Sequence, residues 1–247
     1  IQALLAGGGV DTSIDPVALH HQLTLHAVIP APRTILNGVR KVVPANTMTI
    51  TTDGKIKEQT YWTLKAQRDD QFKLEVEWIE AIHEALKSSV RRRLQIADVP
   101  VGVLLSGGLD SSLLVGLLDE AGVEDILTFS VGFEDQPEEK GSEFEYSDQV
   151  VAQYQTQHQK YLVPNETVLP RLVEAVDAMS EPMFGQDAIA FYLLSEQVTK
   201  DVKVVMSGQG ADEVFGGYFW YPMMAKAAES LTADEPPVNA FAPYYFD

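Results

Sequence analysis

Cysteine is absent from this chain of 247 residues, which removes a disulfide framework, thiolate metal sites and any cysteine nucleophile. Basic residues are scarce: 18 Lys and Arg stand against 36 Asp and Glu, a formal net charge of −18. That balance excludes the basic face that nucleic acids and anionic membrane surfaces demand. The one basic run, Arg91-Arg92-Arg93, ends an amphipathic stretch with Ile79, Ile82, Leu86 and Val90 on one stripe, where cations complement a helix C-terminus. No apolar run reaches the roughly 20 residues that cross a bilayer. Histidine offers no metal spacing, since His20 and His21 are adjacent and His26, His83 and His158 are scattered.

What is present is a hydrophobic share of 45%, enough to bury a full core, with one domain and a smaller attachment as the natural count. The segment up to about Leu64 differs in character from the rest. Thr47–Thr52 and Lys55–Lys57 flank Asp53-Gly54, a hairpin signal. Gly7-Gly8-Gly9 has no strand before it and no helix after it, and reads as a loop. From about Val76 the order becomes helix, strand, glycine turn, helix, strand, which predicts an α/β fold built on a doubly wound parallel sheet. Ligands of such sheets bind beyond the carboxyl ends of the strands. The acidic stretch 134–147 reads as a surface loop, with Lys140 as its solvated cation.

Two glycine turns fall at such strand ends. The apolar run Val99–Leu105 delivers Ser106-Gly107-Gly108-Leu109-Asp110-Ser111-Ser112. Gly107 and Gly108 let the backbone bend tightly and bring N–H groups to an anion. Ser111 to Leu118 reads as a helix whose first N–H groups point back into the turn, where the helix dipole favours negative charge. Ser106, Ser111 and Ser112 supply hydroxyl donors for phosphate oxygens. Asp110 suits Mg²⁺, which takes one or two carboxylates beside phosphates. No lysine follows the glycines, so this is not the mononucleotide P-loop. The plain alternative is a Gly-Gly turn that only joins a strand to a helix. The second turn follows Lys203–Met206 and reads Ser207-Gly208-Gln209-Gly210-Ala211-Asp212-Glu213-Val214-Phe215-Gly216-Gly217-Tyr218. Asp212 stands where a second metal carboxylate would be wanted, although acids also favour helix starts for their own sake.

The first turn resembles the PP-loop of the ATP pyrophosphatases. With the second turn, the chain is similar to the synthetase domain of the glutamine-dependent asparagine synthetase family. The resemblance implies an adenine nucleotide alpha hydrolase-like fold and ATP split between its α and β phosphates. It implies that Ser106, Gly107, Gly108, Leu109, Asp110, Ser111 and Ser112 bind the nucleotide, and that Asp110 and Asp212 hold Mg²⁺. Asp110, Asp212 and Gln209 are thereby placed at the chemistry. Leu104, Val131, Phe133, Ser207 and Gly208 would surround adenine, although for the apolar positions ordinary sheet core is an equal reading. Ammonia would come from a glutaminase domain absent from this chain, with 1–65 as its end and the linker (Pro30–Lys41 within it), and 66–247 as a C-terminally truncated synthetase domain. A lysine completing the adenylate site would lie outside the chain. The setting implied is the cytoplasm, and the resemblance leaves room for a homodimer.

Two departures bear on the acid that is amidated. Gln209 stands where asparagine synthetases carry glutamate, so a general-base role there is lost. Gln186–Leu194 lacks the arginine that would clamp a small dicarboxylate. Together with Glu139-Lys140-Gly141 and Tyr218–Pro222, these features are similar to the N-acetylglutaminylglutamine amidotransferase branch, which amidates a dipeptide carboxylate. Aspartate is the second candidate acceptor. A non-catalytic, regulatory ATP-binding domain is the alternative of another class.

Overall fold

A computed structural model describes residues 1–25, 27–65, 74–135, 141–181, 183, 187–229, 231 and 236. In chain order the elements are α1 (Gln2–Ala6), α2 (Pro16–Thr24), β1 (Asn46–Ile50), β2 (Ile56–Thr60), α3 (Glu75–Ile96), β3 (Val101–Leu104), α4 (Leu109–Glu120), β4 (Leu127–Phe133), α5 (Phe144–Tyr154), β5 (Gln157–Val163), α6 (Asn165–Val168), a 3-10 turn (Leu169–Arg171), α7 (Leu172–Ala178), α8 (Asp187–Val198), β6 (Val204–Met206), α9 (Ala211–Phe215) and α10 (Trp220–Ala228). They form two compact units, one of residues Ile1–His83, Phe133–Gly141 and Leu162–Lys200, the other of Glu84–Gly132, Ser142–Tyr161 and Asp201–Asp247.

In the first unit, Asp15 caps α2 by accepting from the N–H groups of Val17 (2.9 Å) and Ala18 (3.2 Å), with Pro16 preset for the first helical position. Arg33 pairs with the buried Asp15 carboxylate. The predicted hairpin is there: β1 and β2 pair antiparallel from Asn46↔Thr60 to Ile50↔Ile56, closed by Asp53-Gly54 with Gly54 at φ +80°. Ala175, Ile189 and Leu193 of α7 and α8 form a small core with Val163, Val168, Met179 and Tyr192 around it.

The second unit holds the predicted parallel sheet. Its strand order is β5-β4-β3-β6, and β3 pairs in parallel with both β4 and β6. Val101, Gly102 and Val103 make β3 a strand that the sheet buries, as the middle of a parallel sheet requires. The chain steps outward from β3 to β4 and β5, then returns to the opposite flank of β3 with β6, and such a reversal of strand order opens a crevice at the carboxyl ends. Val115, Leu117 and Leu118 of α4 pack with Val90, Val103, Leu105, Ile126 and Met206 into the main core. The helix after the first turn begins at Leu109, two residues ahead of the predicted Ser111, because Gly108 takes the extended cap position. Among the described residues, no helix is long and apolar enough to cross a membrane.

Leu117 is 2% exposed, so Leu117→Ala leaves a cavity that should lower the unfolding free energy by about 2–5 kcal/mol. Leu169, 78% exposed, should change it by about 0.5 kcal/mol or less when replaced by Ala. Urea unfolding of the two variants checks the contrast.

Candidate active site

The first turn begins where the sheet lets go of the chain. Leu105 donates its N–H to the Phe129 carbonyl at 2.8 Å, and its own carbonyl accepts the Ser130 hydroxyl, so this peptide is fastened to β4 on both sides. Gly107 follows at φ +91°, a conformation that L side chains avoid. Space forbids a side chain there as well, because a Cβ would lie 2.5 Å from the Ser147 N and the Tyr146 Cβ at the start of α5.

The turn is braced by its own hydroxyls. Ser106 Oγ accepts from the Gly108 N–H at 3.2 Å and lies 3.0 Å from Ser111 Oγ. Ser111 and Ser112 donate their hydroxyls to the Gly108 carbonyl at 3.2 and 2.7 Å, and the Ser112 N–H reaches the same oxygen at 3.1 Å. These bonds hold the turn ready before any ligand arrives. The first N–H groups of α4 have no carbonyl of their own helix to bond, and they face an anion site by construction.

The second turn lies on the first. β6 pairs with β3 through Val101↔Val204, Gly102↔Val205 and Val103↔Met206, which brings Ser207 and Gly208 to the level of the first turn. A Cβ at Gly208 would stand 2.9 Å from the Asp110 carbonyl carbon, the Asp110 Cβ and the Ser111 N. The backbone at Gly208 therefore rests against Asp110 and Ser111. Ser207 Oγ accepts the Gln209 N–H at 3.2 Å, and Gln209 is exposed. Gly210, at φ +93°, opens α9, whose first turn carries Asp212 and Glu213. A Cβ at Gly217 would fall on the Asp212 carboxylate, so the glycine leaves that side chain its place.

Among the sequence-predicted residues, the second unit gathers Leu104, Ser106 to Ser112, Val131, Ser207, Gly208, Gln209 and Asp212. Phe133, the last residue of β4, falls in the first unit. Lys140 and Gln186 lie outside the described residues. Sequence reading named Tyr218 in the second turn but gave it no contact; its hydroxyl donates to Glu213 Oε1 at 2.9 Å. That hydrogen bond to a carboxylate raises the Tyr218 pKa above its usual value. Sequence reading passed over Ser130, although Thr128 and Ser130 stand out as alternate polar residues in an otherwise apolar strand.

Asp110 and Asp212 are both half-buried. No group of three or more His, Cys, Asp or Glu able to hold a metal occurs among the described residues, so an all-protein metal cage does not fit. One carboxylate on each turn is a donor set that fits Mg²⁺, which keeps several waters and takes only one or two protein carboxylates.

These braced, lysine-free turns stand at the tips of adjacent parallel strands of an α/β domain. A family model described as asparagine synthase matches residues 81–241, and the chain belongs to that family. It is 34% identical over 225 residues to asparagine synthetase [glutamine-hydrolyzing] 1 of Bacillus subtilis (strain 168), covering 90% of this chain and 34% of that protein. With asparagine synthetase [glutamine-hydrolyzing] 3 of the same organism it shares 27% identity over 236 residues, covering 90% of this chain and 37% of that protein. The chain thus spans about a third of the length of these relatives. A solved NH3-dependent NAD synthetase from Campylobacter jejuni subsp. jejuni NCTC 11168 is 19% identical, covers 56% of this chain and 60% of its own, and superposes at a TM-score of 0.39, too slight a likeness to carry weight.

Gly208 has an ordinary φ, so a side chain is excluded there by space alone. Gly208→Ala should lower the unfolding free energy by about 1–3 kcal/mol through overpacking against rigid backbone. Denaturant titration reads this directly, and unchanged stability would show that the turns do not touch.

Proposed function

We propose that this chain is the ATP-cleaving part of an amide-forming ligase. The observation that carries the reading is the contact of Gly208 with Asp110 and Ser111, which makes one site of two glycine turns. Family membership supports ATP as the nucleotide and amide formation as the outcome.

In this reading the N–H groups at the start of α4, the backbone of Gly107 and Gly108, and Leu109 hold the β and γ phosphates, and the hydroxyls of Ser106, Ser111 and Ser112 turn from one another and from the Gly108 carbonyl to donate to them. Leu104, Val131 and the Ser207-Gly208 backbone receive adenine. Asp110 and Asp212 would hold Mg²⁺, which when bound neutralises phosphate charge. A carboxylate oxygen of the acceptor attacks the α phosphorus, the bond to the bridging oxygen breaks, and pyrophosphate leaves on the first turn. Ammonia then attacks the activated carbonyl carbon and loses a proton, the carbon–oxygen bond breaks, and AMP departs with the amide formed. The turns contribute positioning and fixed donors where charge develops.

Residues 1–65 are proposed as the end of a glutaminase domain and its linker, and 66–247 as the synthetase domain, with ammonia drawn from glutamine. For the acceptor, Gln209 and the lack of arginine over 186–194 support the terminal carboxylate of a dipeptide. The relatives named asparagine synthetase support aspartate as the second reading.

With ATP, ammonia and an acceptor acid, the protein should release AMP and pyrophosphate, read by nucleotide chromatography; ADP in place of AMP overturns the scheme. Supplying the dipeptide and aspartate separately decides the acceptor. Asp110→Asn, which keeps the shape of the side chain, should slow AMP formation by about 10²–10³-fold without moving the melting temperature. An unchanged rate would take Asp110 out of the reaction, whereas a parent protein that binds ATP and forms no AMP would point instead to a domain that binds nucleotide without turning it over.

A further inference from the structure

A line of polar side chains, its hydroxyls buried and its histidine half-buried, runs through the sheet of the second unit and ends on the residue before the first turn. Thr156 Oγ1 lies 2.9 Å from Thr128 Oγ1, Thr128 Oγ1 lies 2.8 Å from His158 Nδ1, and His158 Nε2 lies 3.4 Å from Ser130 Oγ. Ser130 in turn donates to the Leu105 carbonyl. Thr128 is 0% exposed, Ser130 4% and Thr156 8%, while His158 is half-buried, so the three hydroxyls find their partners within the protein.

Proton counting gives the line a direction. The Ser130 hydroxyl spends its one proton on the Leu105 carbonyl, so toward His158 it can only accept. Nε2 must then carry a proton. In the neutral ring Nδ1 is bare and accepts the Thr128 proton, and Thr128 accepts from Thr156. The neutral Nε2–H tautomer is thus the neutral form that satisfies every member.

We propose that His158 is a positioning residue for the pyrophosphate turn, holding the Ser130 hydroxyl on the Leu105 carbonyl and so fixing the point at which the chain leaves the sheet for Ser106. The inference rests on the ATP-cleaving reading of the site. Leu105 is held on its N–H side by Phe129 and on its carbonyl side by Ser130, and any looseness there is passed to the glycines that follow. Displacement of about 1 Å at such a site costs up to 10²-fold.

The charged groups that bear on the ring are Lys160, on its own strand, and Asp148 of α5, which pair with each other at 2.5 Å. Burial, and after it Lys160, hold the His158 pKa below the ordinary 6.5, with Asp148 and a hydrogen bond to the Thr128 backbone opposing. A histidine kept neutral by the fold contributes stability that is complete above 6.5 and is lost as the pH falls through the lowered value. His158→Gln should abolish that part of the acid sensitivity.

The test uses MgATP and adenosine as probes in titration calorimetry, with nitrogen-15 spectra of the imidazole. At pH 7 the ring should show the neutral Nε2–H pattern. His158→Leu and Ser130→Ala should each weaken MgATP binding by about tenfold and leave adenosine binding unchanged. His158→Gln, whose amide N–H reaches where Nε2 stood, should restore most of the loss. An Nδ1–H or doubly protonated ring overturns the proposal, as does MgATP binding that stays at the parent level in both Ser130→Ala and His158→Leu. Should His158→Leu fail to fold, Ser130→Ala and the spectrum of the parent decide. A parent chain that binds no MgATP overturns the ATP-cleaving reading as well, whereas a binding parent with unaffected variants removes the role of His158 alone.

Discussion

The parallel pairing of β3 with β6 is the constraint from which the site follows. It sets Met206 beside Val103, and the residues after each strand are then forced into the same space. That space is so small that Gly208 has room for a hydrogen and nothing more against Asp110 and Ser111. A sheet in which β6 lay on the far side of β4 would contain the same two motifs and no site. The strand order therefore carries as much of the chemistry as the motifs do.

In the proposed reading an acidic chain holds a polyphosphate, and it must solve a local problem against its overall field. With a formal charge of −18, long-range attraction for ATP is absent and repulsion has to be overcome at short range. Backbone N–H groups and the end of α4 do this with partial charges that need no basic side chain. The first turn contains no lysine or arginine, so in the proposed reading neutralisation falls to those dipoles and to a divalent ion held by the two aspartates.

How much of this could be read from the chain alone depended on the range of the interaction. The first turn was legible because its parts are contiguous: an apolar strand, two glycines, then serines and an aspartate that open a helix. The Asp53-Gly54 hairpin was legible for the same reason. The start of α4 was misplaced by two residues, since the pattern of apolar residues begins at Leu113 while the capping geometry of Gly108 already recruits Leu109 and Asp110. Contacts between strands left no such local mark. Nothing in the run Ser207-Gly208-Gln209-Gly210 reveals that Gly208 will touch Asp110. His158 looked like a scattered histidine because its partners Thr128 and Ser130 lie 30 and 28 positions away and meet it only when the sheet forms.

Gly107 ties two other parts of the molecule together. Its backbone abuts Tyr146 and Ser147, so the floor of the phosphate cradle and the seat of α5 are opposite sides of one wall. Neither can be reshaped alone. A lineage that drifted toward a bulkier leaving group would have to begin by shifting that helix, and the opening residues of α5 should vary in step with the cradle across descendants of this chain.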